Sequence, residues 1–481
     1  MSPPSKTWGM ELAQKAVEAG LVITNAATGA TTPIPLSLNP MVLSKAGLVR
    51  CQQLASHLAQ AGVKMAYALH NGCLRDCIWQ ALSPLEKSLM RPSPPVLATA
   101  RLDCFPSEGK LWALELNATI PAMQAYSDMA AAQTIAAHGQ RLRLDAAAIA
   151  RLQEANPSNT RALWEALLWA YAACRPGQQP RRLGILCRRN DAQLSELLHL
   201  RRAFGGFGLP TELLHPDQLE EKDGFWANGQ CHDLVYRHLF VHRLEENLPG
   251  HALLRRLLAK GNTPDTPSLV FNPPAAPVEM KATFALLSEA VENEALAVQA
   301  RLSPEECEAI AQWVPWTRLC EGKALLKAVQ REPERYVLKK SWSYGGKAVF
   351  IGKTHQGPEF AQRCQEVFGE PLSWEALCER AFEAREGGYV VQQRVENVPQ
   401  AHVLCTPSQV TACQLYVDFS VYASVGIHPL PLWGGVCRGS SSQVVNILGG
   451  GGLVPLLCEE VAEALQLGES AYCLDECTVP A

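Results

Sequence analysis

Arg101-Leu-Asp103-Cys-Phe-Pro106-Ser-Glu108-Gly109-Lys-Leu-Trp-Ala-Leu-Glu115-Leu-Asn117 is the stretch on which the reading of this chain turns. Both arms alternate polar and apolar residues, the period-two pattern of half-buried strands, and Pro106 and Gly109 mark a turn between them. With the turn centred near Glu108, Arg101 is expected roughly opposite Glu115, one residue pair away from Asp103 and Asn117. The four odd-numbered side chains then share one face, while Leu102, Cys104, Leu114 and Leu116 point into a core. Two carboxylates and a carboxamide oxygen are hard donors that suit Mg²⁺ with phosphate oxygens completing the shell. The adjacent guanidinium suits an anion. For such a hairpin alone, a surface ladder of ion pairs is the plain alternative.

The C-terminal half carries a second cluster. Tyr336-Val-Leu-Lys339-Lys340-Ser-Trp-Ser343-Tyr-Gly345-Gly346-Lys347 reads as a short apolar strand that delivers Lys339 into a Ser/Gly turn, with a second strand over 348–351. Glycines let backbone N–H groups approach phosphate oxygens, and lysine supplies a mobile point charge. The spacing matches neither a P-loop nor a Rossmann fingerprint, and a Gly-Gly pair is also an ordinary hairpin turn. Farther on, Tyr389-Val-Val-Gln392-Gln393-Arg394-Val395 is a strand running into a polar linker, either a plain strand end or a hinge whose backbone groups read an adenine edge. Arg438 follows a Gly-Gly pair, and four consecutive glycines at 449–452 suit either a ligand-hugging loop or a flexible connector.

Together these pieces resemble the ATP-grasp superfamily, in which a strand lysine and a glycine-rich loop hold the ATP phosphates, an adenine-contacting hinge follows, and Arg-x-Asp and Glu-x-Asn bind the metals. Here the order is inverted: Arg101-Leu-Asp103 and Glu115-Leu-Asn117 come first. That inversion resembles the circularly permuted ATP-grasp family, to which the synthetase domain of glutathionylspermidine synthase is also similar. The segments from Leu183, Leu213 and His232 are similar to that family's pre-ATP-grasp domain, and Val278-Glu-Met-Lys281 to the approach to its first nucleotide-binding lysine. Met280 and Gln392-Gln393 depart from the family's usual acidic or amide residue and hinge carboxylate.

The resemblance implies an α/β fold, a circularly permuted ATP-grasp with an open α/β pre-ATP-grasp domain. It divides the chain into a metal-hairpin region over 1–175, a pre-ATP-grasp-like domain over 182–300 and a nucleotide-binding part over 301–481. It implies ATP contacts from Lys281, Lys339, Ser343, Gly345, Gly346, Gln392, Gln393 and Val395, and Mg²⁺ ligation by Asp103, Glu115 and Asn117. Arg101 would stabilise charge on an acyl oxygen, with Arg438 a candidate for holding a carboxylate substrate. The implied activity is a carboxylate–amine ligase acting on small-molecule or peptide substrates. A nucleotide-binding scaffold without ligase activity and a small-molecule kinase are the rivals; the complete polar set of the hairpin speaks against the scaffold.

Composition bounds the rest. At 481 residues the chain has room for roughly three domains of about 150 residues each. Its 47% hydrophobic and 19% charged residues place it among globular proteins with ample core. A net charge of −4 shows no nucleic-acid footprint, and no basic run suggests a membrane surface. The first residues lack an apolar h-region and no stretch of about 18 apolar residues occurs, so a cytoplasmic location is expected. The 17 cysteines are scattered, with Cys73/Cys77 and Cys473/Cys477 the closest groupings. Without the Cys-x-x-Cys spacing of structural zinc sites they read as reduced, buried small hydrophobes.

Along the chain, an amphipathic helix is expected over 44–58, alanine-rich helices over 128–174 and a linker over 175–182. From Leu183 the pattern is strand, helix (192–204), strand (212–215), hairpin, then strand (234–240). A helix over 281–289 and a helical region over 300–335 precede a β-rich region over 336–460 that holds one inserted helix, 372–384.

Overall fold

The computed structural model describes residues 6–68, 78–263, 265–384, 388–447 and 451–475. Cys73, Cys77, Cys477 and the first two glycines of the 449–452 run lie outside the described residues.

The hairpin forms as its alternation dictates, from strands Leu97–Ser107 and Lys110–Asn117. Ser107 pairs with Lys110, so the turn is the two residues Glu108 and Gly109, with φ of 52° and 69°. Positive φ at both central positions lets a two-residue turn follow the right-handed twist of its strands, which is why glycine serves there. The register differs from the expected one. Arg101 faces Asn117 and Asp103 faces Glu115, and a bulge follows, with Cys104 opposite Ala113. Leu114 is the extra residue. It therefore leaves the core, which takes Leu102, Cys104, Leu111, Ala113 and Leu116.

This hairpin is one edge of a seven-stranded sheet ordered Gln400–Thr406, Leu36–Ser37, Gly452–Val454, Val436–Ser440, Gln409–Val425, Leu97–Ser107, Lys110–Asn117. Strands from both ends of the chain are thus neighbours. Helix Lys45–Ala68, longer than the expected 44–58, covers one face; its Cys51, Ala55, Leu58 and Val63 pack with Leu102, Cys104, Val417, Phe419 and Val421. The other face of the Leu97–Ser107 strand is closed off by helix Asn159–Cys174 and by Ala122 and Gln124, where the chain enters helix Gln124–Arg141. Its polar side chains are consequently buried: Arg101 is 7% and Asp103 8% exposed, too little for a surface ladder.

From Leu183 the expected strand–helix–strand–hairpin–strand order is the observed one. Strands Leu269–Phe271, Leu234–Arg237, Leu183–Leu186 and Thr211–Leu214 form an all-parallel sheet in that order. Buried on both faces, such strands read as continuous apolar runs.

A third, antiparallel sheet is ordered Thr317–Leu319, Tyr389–Gln393, Tyr336–Lys340, Val349–Ile351. Its period-two alternation sorts two faces. Leu338, Phe350 and Val391 pack under helices Pro358–Phe368 and Trp374–Glu383 against Phe360, Trp374 and Leu377, while Val337, Lys339 and Gln392 face the other way, toward the hairpin. Two expectations change here. The region 300–335 is not purely helical, because Thr317–Leu319 becomes a strand by pairing with Tyr389–Gln393. A second helix, Pro358–Phe368, accompanies the expected inserted one. Three residues are too few to show a period, so only the partner strand reveals the first.

Among the described residues no helix is long and apolar enough to cross a membrane.

Candidate functional site

The hairpin edge of the large sheet and the bare face of the third sheet line one cleft. It contains Arg101, Asp103, Glu115, Asn117, Lys339, Gly345, Gly346, Gln392, Gln393, Val395 and Arg438, eleven of the thirteen residues anticipated from sequence. Lys281 and Ser343 sit one layer behind: the Lys281 ammonium lies 3.2 Å from Glu115 and donates to the Ser343 carbonyl at 3.1 Å. Lys281 opens helix Lys281–Ala290, whose first turn is tied to the glycine loop from outside. Lys281 N donates to Ser341 O at 3.0 Å and Ala282 N to Ser341 Oγ at 3.1 Å, satisfying amides that a helix start leaves without partners.

The large-sheet side is a paired charge network. The Arg101 guanidinium grips both Asp103 oxygens, Nε at 2.7 Å and Nη2 at 3.1 Å, and its Nη1 donates to the Ala122 carbonyl. Ser420 Oγ donates to Asp103 Oδ1 at 3.1 Å, and Arg438 Nη2 to Oδ2 at 2.8 Å. Arg438 in turn forks onto Asp418, directly opposite it in the sheet register. Burial would raise the Asp103 pKa, but the two guanidiniums outweigh it and hold the carboxyl well below its ordinary range. Fork geometry and charge assistance make such bonds strong.

The third-sheet side is different. Lys339 is 6% exposed, and its ammonium donates to two neutral oxygens, Leu114 O at 3.2 Å and Gln392 Oε1 at 2.7 Å. The bulge at Leu114 is what aims that carbonyl across the cleft, where Gln392 Nε2 also reaches it at 3.3 Å. Gln392 is fixed by a further bond to Thr317 Oγ1. Burial pulls the Lys339 pKa down to about 8 against the opposing pull of Glu115. A buried ammonium bonded to neutral acceptors is costly, and a facing anion relieves that cost. Across Arg101, Arg438, Lys281 and Lys339 against Asp103, Asp418 and Glu115, cations exceed anions by one.

Gly345 and Gly346 have φ of 65° and 70°, and a Cβ on Gly346 would meet Val444 at 2.6 Å. The loop thus leans on residues 443–446, where Asn446 Nδ2 bonds the Gly345 carbonyl at 3.2 Å.

The donor set for a divalent cation is partly committed. Among the described residues no group of three or more His, Cys, Asp or Glu side chains is arranged to hold a metal. Asp103 already accepts from Arg101, Ser420 and Arg438, which leaves Glu115, held below its ordinary range by Lys281 despite burial, and Asn117, whose Nδ2 turns toward the Arg101 carbonyl. One or two carboxylates with an amide oxygen fit Mg²⁺, which keeps waters and takes remaining ligands from phosphates.

Sequence reasoning missed Asp418 and Ser420, although an Asp and a Ser at alternate positions inside the apolar run 415–425 signal a polar face within a buried strand. It also missed Glu279, which accepts from Ala118 N at 2.8 Å and Thr119 N at 2.5 Å and so fixes the hairpin exit.

No family model and no curated protein sequence matches the chain. Among solved structures, the apo form of a glutathione synthetase-like effector from Globodera pallida is similar, with a TM-score of 0.60 at 12% identity over 94% of this chain and 96% of that one. A Methylobacillus flagellatus protein assigned by inference to gamma-glutamylcysteine synthetase gives a TM-score of 0.39 at 13% identity over 84% and 88%, too slight a likeness to build on. The first likeness is one of fold: a mixed α/β, synthetase-like architecture.

Proposed function

We propose that this chain is an ATP-dependent carboxylate–amine ligase, with a circularly permuted ATP-grasp arrangement, that forms an amide or peptide-like bond through an acyl phosphate. One observation carries the reading: Lys339, buried with neutral partners, faces Glu115 and Asn117 across a shared cleft although 225 residues separate it from Leu114. The excess positive charge, the glycine loop and the hard oxygen donors are the components that positioning and charge neutralisation of a triphosphate require. The synthetase-like fold is consistent with it.

Glu115 and Asn117, with Asp103 behind them, would hold Mg²⁺. That ion would neutralise phosphate charge. Lys339 and Lys281 would pair with phosphate oxygens, and the ends of strand Tyr389–Gln393 and Val395 would contact the base. The substrate carboxylate oxygen attacks the γ-phosphorus and ADP leaves. An amine nitrogen then attacks the acyl carbon, inorganic phosphate departs, and the amine proton passes to solvent. Arg101 and Arg438 would face the acyl oxygens, where negative charge builds.

ADP release from Mg-ATP in the presence of pooled acids, with hydroxylamine replacing the amine, tests the reading. A hydroxamate is expected. A stable phosphorylated alcohol would establish a kinase instead. The saturation of Asp103 by three donors favours one rival, a nucleotide-binding scaffold, which would show Mg-ATP binding with no ADP release from any pool.

A further inference from the structure

Helix Gln124–Arg141 starts two residues beyond Ala122, whose carbonyl takes Arg101 Nη1 at 2.8 Å. The helix lacks a cap of its own: Met123, in the left-handed region with a φ of 86°, offers its first turn no side-chain acceptor. The acceptor comes from another element. Glu196, in helix Leu194–Gly206, is 1% exposed and takes Met123 N at 3.2 Å on one carboxylate oxygen and Ala125 N at 3.0 Å on the other. Amides at a helix start need such partners.

The Met123 amide and the Ala122 carbonyl belong to one trans peptide. Such a unit is planar and rigid, and its N–H and C=O point in opposite directions. The N–H goes to Glu196, and the C=O accepts from Arg101 Nη1 at 2.8 Å and from the Tyr422 hydroxyl at 2.9 Å. A carboxylate and a guanidinium therefore pull on the two ends of one rigid plate, and each bond polarises the other.

We infer that Glu196 is a positioning residue for Arg101, holding it through the Ala122–Met123 peptide, and that a proton gained by Glu196 loosens that hold. The inference rests on the ligase reading, in which Arg101 faces the acyl oxygens. An ionised carboxylate only accepts, whereas a protonated one carries a donor on one oxygen. Two amide donors then share one acceptor too few, and the plate is free to turn. Among the described residues, the titratable and charged groups that face this carboxyl are Arg101 on strand Leu97–Ser107, Tyr126 on helix Gln124–Arg141, Tyr236 on strand Leu234–Arg237 and Tyr422 on strand Gln409–Val425, with Asp191 beside Tyr126. Burial pushes the Glu196 carboxyl up to about 7, against the pull of the Met123 and Ala125 amides and of Arg101. The hold therefore changes near neutral pH.

Two ¹⁵N labels read the coupling without turnover. In protein labelled at its 8 methionines, the Met123 amide should titrate with a midpoint near pH 7. In protein labelled at arginine, the Arg101 Nε signal should share that midpoint. Both should stay flat in Glu196→Gln, whose carboxamide copies the protonated carboxyl. Hydroxamate formation from the acid pool reads the consequence. At pH 8 the wild type should outpace Glu196→Gln by up to about 100-fold, the scale of a group misplaced by ~1 Å, with KM for Mg-ATP unchanged. That ratio, which cancels the ionisation of hydroxylamine itself, should shrink toward one as pH falls through the midpoint. A Met123 titration that Arg101 does not share, or a ratio that is independent of pH, would overturn the inference and leave the ligase reading standing. If no pool yields a hydroxamate, the ligase reading falls and the shared titration still decides the coupling. If Glu196→Gln does not fold, the shared midpoint in the native protein decides it.

Discussion

The two walls of the cleft handle charge in opposite ways. On the large sheet, Arg101, Asp103, Arg438 and Asp418 are paired with one another in forked geometry before any ligand arrives. On the third sheet, Lys339 is bonded to a carbonyl and an amide oxygen. The first wall gains rigidity from its charges. The second carries a cation at a cost to the fold, and under the proposed function that cost serves a ligand rather than stability. Buried charges on two sheets that face each other across one cleft therefore call for opposite responses to mutation.

The strongest attempt to break that contrast is Asp418→Ala. It strands Arg438 with part of its pairing gone in a buried site, and the expected loss is about 3–5 kcal/mol of unfolding free energy, read by urea denaturation. An unchanged denaturation midpoint would mean that the large-sheet network is not holding the fold.

Glu115→Gln stands next. Its side chain is 29% exposed but its ion-pair partner Lys281 is 10% exposed, and glutamine keeps an acceptor for that buried ammonium, so stability should fall by about 1–3 kcal/mol. If Glu115 serves bound metal and phosphate, ADP release should fall by about 10²–10³-fold, the usual cost of removing one charge-stabilising group. A large drop in melting temperature with normal specific activity would reassign it to structure.

Lys339→Met sharpens the contrast from the other wall. The apo protein should be as stable as the wild type or more so, because a buried charge with neutral partners is replaced by an apolar chain. If the cleft takes Mg-ATP as proposed, the wild type should gain about 2.7 kcal/mol at a hundredfold excess over Kd, and this gain should disappear in the variant. Retention of the full Mg-ATP shift would remove Lys339 from the site.

The smallest expected effect concerns pH and strand Gln400–Thr406, which pairs with both Leu36–Ser37 and Gln409–Val425. His402 is 2% exposed, and burial lowers its pKa from 6.5 to about 4. The folded state thus binds fewer protons than the unfolded chain between those values. Its contribution to stability is complete above pH 6.5 and is lost as pH falls toward 4, about 1 kcal/mol by pH 5.5. His402→Asn should flatten the stability profile in that window, measured by denaturation at stepped pH, and an unaltered acid slope would count against a neutral buried imidazole.

How much of the site was legible follows from the range of each signal. The hairpin announced itself through alternation, and Glu108-Gly109 through turn chemistry, both properties of adjacent residues. The bulge was not visible. It depends on how Cys104 and Ala113 pair, and it moved Leu114 from the expected core to the cleft, where its carbonyl meets Lys339. The pairing of Arg438 with Asp418 and Asp103 was equally hidden, because sheet register and a strand more than three hundred residues away set those partners.

Away from the bulge at Leu114, the sequence by itself determined which residue types share a face of each long strand, because side-chain direction alternates every residue and burial selects one face. It determined the lysine-bearing strand and its glycine turn for the same local reason. Only the tertiary structure decided that these two faces look at each other, that Asp103 is saturated by two arginines and a serine, and that Lys339 is left to neutral oxygens. Those outcomes depend on strand neighbours hundreds of residues apart, and a pairing energy exists only once the chain has brought both partners out of water into the same place.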